Sequence, residues 1–297
     1  MRLSKHCYQA ISIKIRSGSD EKVRRSLTAY VYLTVMPYKG NVMRLLLSIV
    51  LLASLVASAN AEFKSQEELG NWFTYYYKEP DPSKIPDAIE YMSQSGWLDN
   101  KKSLSPIFGF LAGGFKNNPE QVPGWVSRLT SLNKSHFGVV VLGLWYADLP
   151  DSQKRVYAIL EKHPKLKEEF SFLSKGTSMP IEKIPLEQGP WVLDALWGNF
   201  MATGDKTPVI RIMSTLPWID VKGDMSRLLV GGAARWSLTS NAVQHNRIME
   251  FCEEEVKTQP TEVADKLREI IETAKKELES GPNRPIQPTP KNSVADG

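Results

Sequence analysis

Three polar side chains interrupt otherwise apolar helical stretches and are the first candidates for chemistry. Asp194 and Asn199 lie within residues 191–201, beside Leu193, Leu196, Trp197, Phe200 and Met201, and Arg235 lies within residues 228–238. A charge in such surroundings must find a partner or shift its pKa, because leaving water unpaired is costly. It can serve a ligand-gripping pocket. Alternatively it can join an internal ion pair, Asp194 with Arg211 or Arg235, that fixes how neighbouring helices stack. The large apolar neighbours favour the ion pair and predict a buried Asp194 held by an arginine. Trp218 is the aromatic candidate: Pro217 and Asp220 place it near a loop, where an exposed indole can grip a sugar or peptide. Most of the other tryptophans, Trp236 included, fall on apolar segments and read as wedges between helices.

The spacings that mark common catalytic centres are missing. The sequence has no H-E-x-x-H, no G-x-S-x-G, no P-loop and no dinucleotide-binding glycine fingerprint. His136, His163 and His245 lie far apart, and none pairs at i,i+4 with another metal-type ligand, so neither a metal nor a cofactor is expected. His163 precedes Pro164 at a helix end, where a histidine complements the helix dipole. Cys252, beside Phe251, reads as a small buried apolar residue rather than a reactive thiol. The pairs Gly113-Gly114 and Gly231-Gly232 sit inside apolar helices at a cost of about 1 kcal/mol per glycine relative to alanine, which close helix–helix approach would offset.

The elements that must position these residues read as helices. Ser65 and Glu68 form a capping box at the start of the first. Thr261 opens the last, whose stripe is Val263, Leu267, Ile270, Ile271, Ala274 and Leu278. Between them one pattern recurs: an aromatic, nearly all-apolar helix, a short turn of Pro, Gly, Asp or Asn, then a more amphipathic helix. The five copies begin near Trp72, Ile107, Phe137, Trp191 and Leu228, and their turns fall at residues 80–82, 117–119, 150–152, 204–208 and 240–241. An extra helix is expected near residues 166–173. A hairpin with one fully apolar helix cannot bury it alone, so neighbours must stack on it. The predicted fold is all-α: stacked antiparallel helical hairpins, α-solenoid-like, over residues 62–280. Residues 281–297, with four prolines, read as a disordered tail.

In architecture, though not in signature, residues 66–257 resemble α-helical repeat proteins of the tetratricopeptide or HEAT type. The tetratricopeptide pattern is met only in fragments, such as Leu142-Gly143 before Trp145-Tyr146. The resemblance implies a binding surface for a protein or peptide.

The amino terminus sets the compartment. Arg44 and the apolar residues 45–56 lead to Ala59-Asn60-Ala61, a small-x-small site that predicts signal-peptide cleavage before Glu62. Residues 1–42 read as an upstream extension or disordered arm, translated from an early start. Lys39-Gly40 must be encoded by AAR-GGN, a purine-rich ribosome-binding core a short distance before the Met43 codon. Cleavage would leave 236 of the 297 residues. Residues 1–61 hold nine of the 37 Lys+Arg and two of the 33 Asp+Glu, leaving 28 basic and 31 acidic residues, with no basic stripe for nucleic acid. With Cys7 discarded, Cys252 has no partner for an internal disulfide. The expected protein is exported, secreted or periplasmic, with no stable membrane insertion after cleavage. Its expected work is that of a non-catalytic scaffold or binding module for a protein or peptide. The alternatives are an envelope enzyme acting on glycan or peptidoglycan through dispersed carboxylates, and a protein held to the inner membrane by an uncleaved residue 45–59 segment.

Overall fold

The computed structural model describes residues 63–280. The cleavage-site residues Ala59, Ala61 and Glu62, the rest of the expected signal peptide, residues 1–42 and residues 281–297 lie outside the described residues. Among the described residues there are twelve α-helices and no strand. The first hairpin is α1 (Gln66–Tyr75) with α2 (Ile85–Gln94), the second α3 (Leu104–Asn117) with α4 (Val122–Leu129), and the third α5 (Lys134–Trp145) with α6 (Ser152–Lys162). The short helix α7 (Pro164–Glu169) follows. Then come α8 (Trp191–Thr203) with α9 (Lys206–Met213), α10 (Met225–Gln244) with α11 (Asn246–Glu255), and α12 (Thr261–Glu279).

Local chemistry starts and stops these helices. Ser65 Oγ accepts from the Glu68 N–H at 3.0 Å, and Glu68 Oε2 accepts from the Lys64 N–H at 2.8 Å, so the return bond of the capping box lands one residue early. Asn133 caps α5 and Asp224 caps α10 through their side-chain oxygens. Gly204 ends α8 in the left-handed region at φ 70°, the conformation glycine adopts without penalty.

The expected turn at Ser240-Asn241 is corrected: α10 continues for 20 residues and breaks at His245. Asn241 Nδ2 donates to the Ser237 carbonyl at 2.8 Å, a back-bond within the helix that lets a turn-favouring residue sit in its interior.

Tertiary packing centres on α3, with residues 107–115 all buried. On one side α3 meets α5; on the other it makes the most extensive helix–helix contact of the domain, with α8. The fourth hairpin thus packs chiefly on the second, and the consecutive order expected of a solenoid is interrupted there. The connection that makes this possible is residues 163–190, which carry α7 and the 3-10 turns Ser171–Lys175, Ile181–Lys183 and Leu186–Gln188 back across the domain. Glycines allow the contact. A β-carbon on Gly109 would stand 2.0 Å from the Ala195 carbonyl oxygen, and one on Gly113 would stand 2.8 Å from Thr203 Cγ2. Gly143 of α5 similarly faces Leu111. The expected packing role of the glycine pairs holds at Gly113, Gly114 and Gly231, while Gly232 faces open space. At the carboxyl end, α12 packs on α10 and α11.

Candidate functional site

The residues singled out from sequence do not converge on one pocket. Asp194 is the clearest correction. It lies in the first turn of α8, and its side chain is exposed although Leu193 and Ala195 on either side are buried. Its carboxylate makes no ion pair or side-chain hydrogen bond with the described residues, while partial burial against α8 and its surroundings pushes its pKa up. The expected pairing with Arg211 or Arg235 does not form. Arg211 instead donates from Nη2 to the Ile184 carbonyl at 2.6 Å, and burial pushes its pKa down against the opposing fields of Glu187 and Glu182. Arg235 is exposed and meets Glu269 at 3.8 Å. Asn199 is buried where α8 crosses α3, with its amide facing Gly113.

The two tryptophans exchange their expected roles. Trp218 lies half-buried in the 3-10 turn Leu216–Asp220, with the Arg227 guanidinium 5.0 Å from its ring centroid and Gly231 packed against its backbone. Trp236, read as a core wedge, is 73% exposed. It shares one face of α10 with Met225 at 67% and Leu229 at 57%, at helical spacings of four and seven residues, with Leu228 on the shoulder. Gly232 lies on the same line with nothing within 4 Å of its would-be β-carbon, so the stripe has an open notch between Leu229 and Trp236. The opposite face of α10, with Val230, Ala234, Leu238 and Ala242, is buried. Helix α10 is therefore apolar on both sides, one packed and one bare.

A second constellation was not legible in the sequence. Ser93 from the last turn of α2, Asp99 from the 3-10 turn Trp97–Asp99, and Asn133 and His136 from the start of α5 meet around one imidazole. The Ser93 hydroxyl lies 2.8 Å from His136 Nδ1, and Asp99 Oδ1 lies 3.0 Å from His136 Nε2. Asn133 orients the ring. Its Oδ1 accepts from the His136 backbone N–H at 2.9 Å as the helix cap, so its Nδ2 is the donor facing Nδ1 at 2.8 Å. Nδ1 is then the bare nitrogen and Nε2–H points to the carboxylate. His136 is buried, Ser93 is half-buried, and the Asp99 side chain is 73% exposed. A hydroxyl donating to an imidazole whose other nitrogen donates to a carboxylate is the hydrogen-bond order of an activated nucleophile. The partners are 43 and 37 residues from His136, so sequence spacing carries no trace of it. The one legible fragment is Asn133 three residues before His136, ahead of an apolar run, which marks a helix cap.

The other polar groups in the core are accounted for by packing. His245 is fully buried at the break between α10 and α11, shares a hydrogen bond of 3.2 Å between its Nδ1 and the Tyr77 hydroxyl, and lies against the rings of Tyr75 and Phe200. Its Nε2 is buried without a partner, and burial, reinforced by Lys78, pushes its pKa down to about 4. The Cys252 thiol is buried and pushed up to about 12, which keeps it protonated and inert. His163 caps the end of α6 with its backbone and rests its ring 5.5 Å from Phe137. Asp87 and Glu90 converge, but both are held by Arg128, which meets Glu90 at 2.6 Å and also bonds Asp87. Among the described residues no group of three or more His, Cys, Asp or Glu could hold a metal ion, and no helix is long and apolar enough to cross a membrane.

With this geometry in place, comparison with protein-family models, with curated proteins and with solved structures gives no match to the chain.

Proposed function

We propose that the domain is an exported helical-hairpin binding module that holds a protein or peptide partner on the bare face of α10. The observation that carries this reading is the stripe of Met225, Leu229 and Trp236, three large apolar side chains exposed in line on one helix whose other face is already packed. Scattered exposed apolar residues are ordinary, but an aligned set that ends in a tryptophan is what interfaces use as an anchor. The notch at Gly232 offers room for an inserted side chain. Arg227 is already paired with Glu187 and Asp224, and Arg235 with Glu269, so the fitting partner is an apolar segment rather than a charged one. Export is supported by the residue 43–61 signal pattern, and a scaffold role by the paired-helix organisation.

The test is capture from the organism's own envelope extract on the immobilised full chain, alongside the variants Trp236→Ser and Met225→Ser. A partner held by the wild-type chain and released by both variants supports the reading. Capture that both variants retain, or binding only to phospholipid vesicles, overturns the assignment to this face.

A further inference from the structure

We propose that Ser93 is the nucleophile of an acyl-transfer site, with His136 as its base and Asp99 as the residue that positions the imidazole, acting on carboxylic esters. The site is independent of the α10 face, since its residues come from α2, α5 and the turn between α2 and α3.

Three features of the geometry point to this chemistry. The nucleophile–base and base–orienter contacts, 2.8 and 3.0 Å, are both within the range a working relay needs. The tautomer is fixed in the competent sense by the Asn133 cap, which leaves Nδ1 bare toward Ser93 and Nε2–H toward Asp99. The nitrogens are used in the opposite order from the best-known serine hydrolases, and the two ring nitrogens of imidazole are both able to act as the base. The relay also reaches the surface. Ser93 is half-buried and Asp99 exposed, so an ester can approach the hydroxyl while the imidazole stays shielded.

In the reaction, Ser93 Oγ bonds to the ester carbonyl carbon as the carbonyl π electrons move onto oxygen, and the Ser93 proton passes to His136 Nδ1. The Asp99 carboxylate stabilises the imidazolium so formed. The oxyanion develops at the half-buried Ser93 and is met there by solvent. Collapse breaks the carbon–oxygen bond to the alcohol, which leaves with the proton from Nδ1. Water then attacks the acyl-Ser93 by the same path, releasing the carboxylic acid and restoring the hydroxyl. Esters fit this centre better than amides, whose amine leaving groups must be protonated as they depart.

The experiment treats the full chain with a fluorophosphonate probe and maps the adduct by mass spectrometry, with p-nitrophenyl acetate hydrolysis as a second readout. The expected result is an adduct on Ser93, none on Ser93→Ala, labelling and hydrolysis slowed by at least about tenfold in Asp99→Asn, and recovery in Asp99→Glu. Asp99 is exposed, so both of its variants should fold, and circular dichroism checks this. The absence of an adduct on Ser93 overturns the proposal, and so does a Ser93 adduct formed at an unchanged rate in Asp99→Asn.

Discussion

Gly198 of α8 lies directly against the backbone of Pro106 in α3: a β-carbon there would stand 1.9 Å from the Pro106 carbonyl oxygen and 2.9 Å from the Phe110 nitrogen. With the matching contact of Gly109 on Ala195, the two helices meet backbone to backbone, and no side-chain adjustment can relieve an added methyl. Gly198→Ala and Gly109→Ala should each destabilise the domain by about 3 kcal/mol or more, the upper end of overpacking costs. Gly124→Ala in α4, with nothing within 4 Å, is the control and should gain up to about 1 kcal/mol from helix propensity. Urea melts of the three variants would check this, and an unchanged midpoint for Gly198→Ala would contradict the crossing.

Asp194 carries a pH dependence of definite sign. Its folded pKa is raised, so the folded state binds the proton more tightly than the unfolded chain. Stability contributed by the protonated carboxyl is therefore present below the ordinary carboxylate range and is lost as pH rises through the raised folded value. Asp194→Asn should match or exceed wild-type stability at pH 7, and the difference should shrink in acid. A marked loss of stability at pH 7 would require a partner that the carboxylate does not have.

His245 runs the other way. Its folded pKa, about 4, is below the ordinary 6.5, so the unfolded chain takes up the proton first and stability falls as pH drops from 6.5 toward 4. A shift of this size corresponds to on the order of 3 kcal/mol across that window. His245→Gln should show a smaller loss between the same two pH values, read as the difference between its melts and those of the wild type. Equal slopes would mean that His245 is not the group responsible.

Trp236 and Trp197 separate binding from folding. Trp197 is buried at 7% exposure, and Trp197→Ala should cost about 3–5 kcal/mol, as for large aromatics in cores. Trp236→Ser removes a mostly exposed indole and should leave the thermal midpoint within about 0.5 kcal/mol of wild type. A large stability loss at Trp236 would make it a core residue and remove the bare face from α10.

Much of the local structure was legible from residue order alone. Apolar runs at helical period, the Ser65 cap, and Pro, Gly and Asn turns specify where most helices begin and end, because those signals act over three or four residues. The same signals misplaced the turn at Ser240-Asn241, where a back-bond from Asn241 to Ser237 satisfies inside the helix what the sequence suggested would be met in a turn. Periodicity assigns Trp236 and Asp194 to apolar segments but not to a depth. Depth depends on which neighbour covers each face: α10 is covered on one side only, and α8 leaves Asp194 exposed between the buried Leu193 and Ala195.

What only the tertiary structure decided is which distant segments meet. That the fourth hairpin packs on the second follows from the residue 163–190 connection and from glycines whose missing side chains matter only once the helices are adjacent. The Ser93–His136–Asp99 relay is of the same kind: each residue is unremarkable in its own segment, and its chemistry exists only because α2, the turn after it and the start of α5 are brought within hydrogen-bond distance. Local signals are short-ranged and written residue by residue. The free energy that selects one packing over another is shared across the whole core, and no single stretch of the sequence records it.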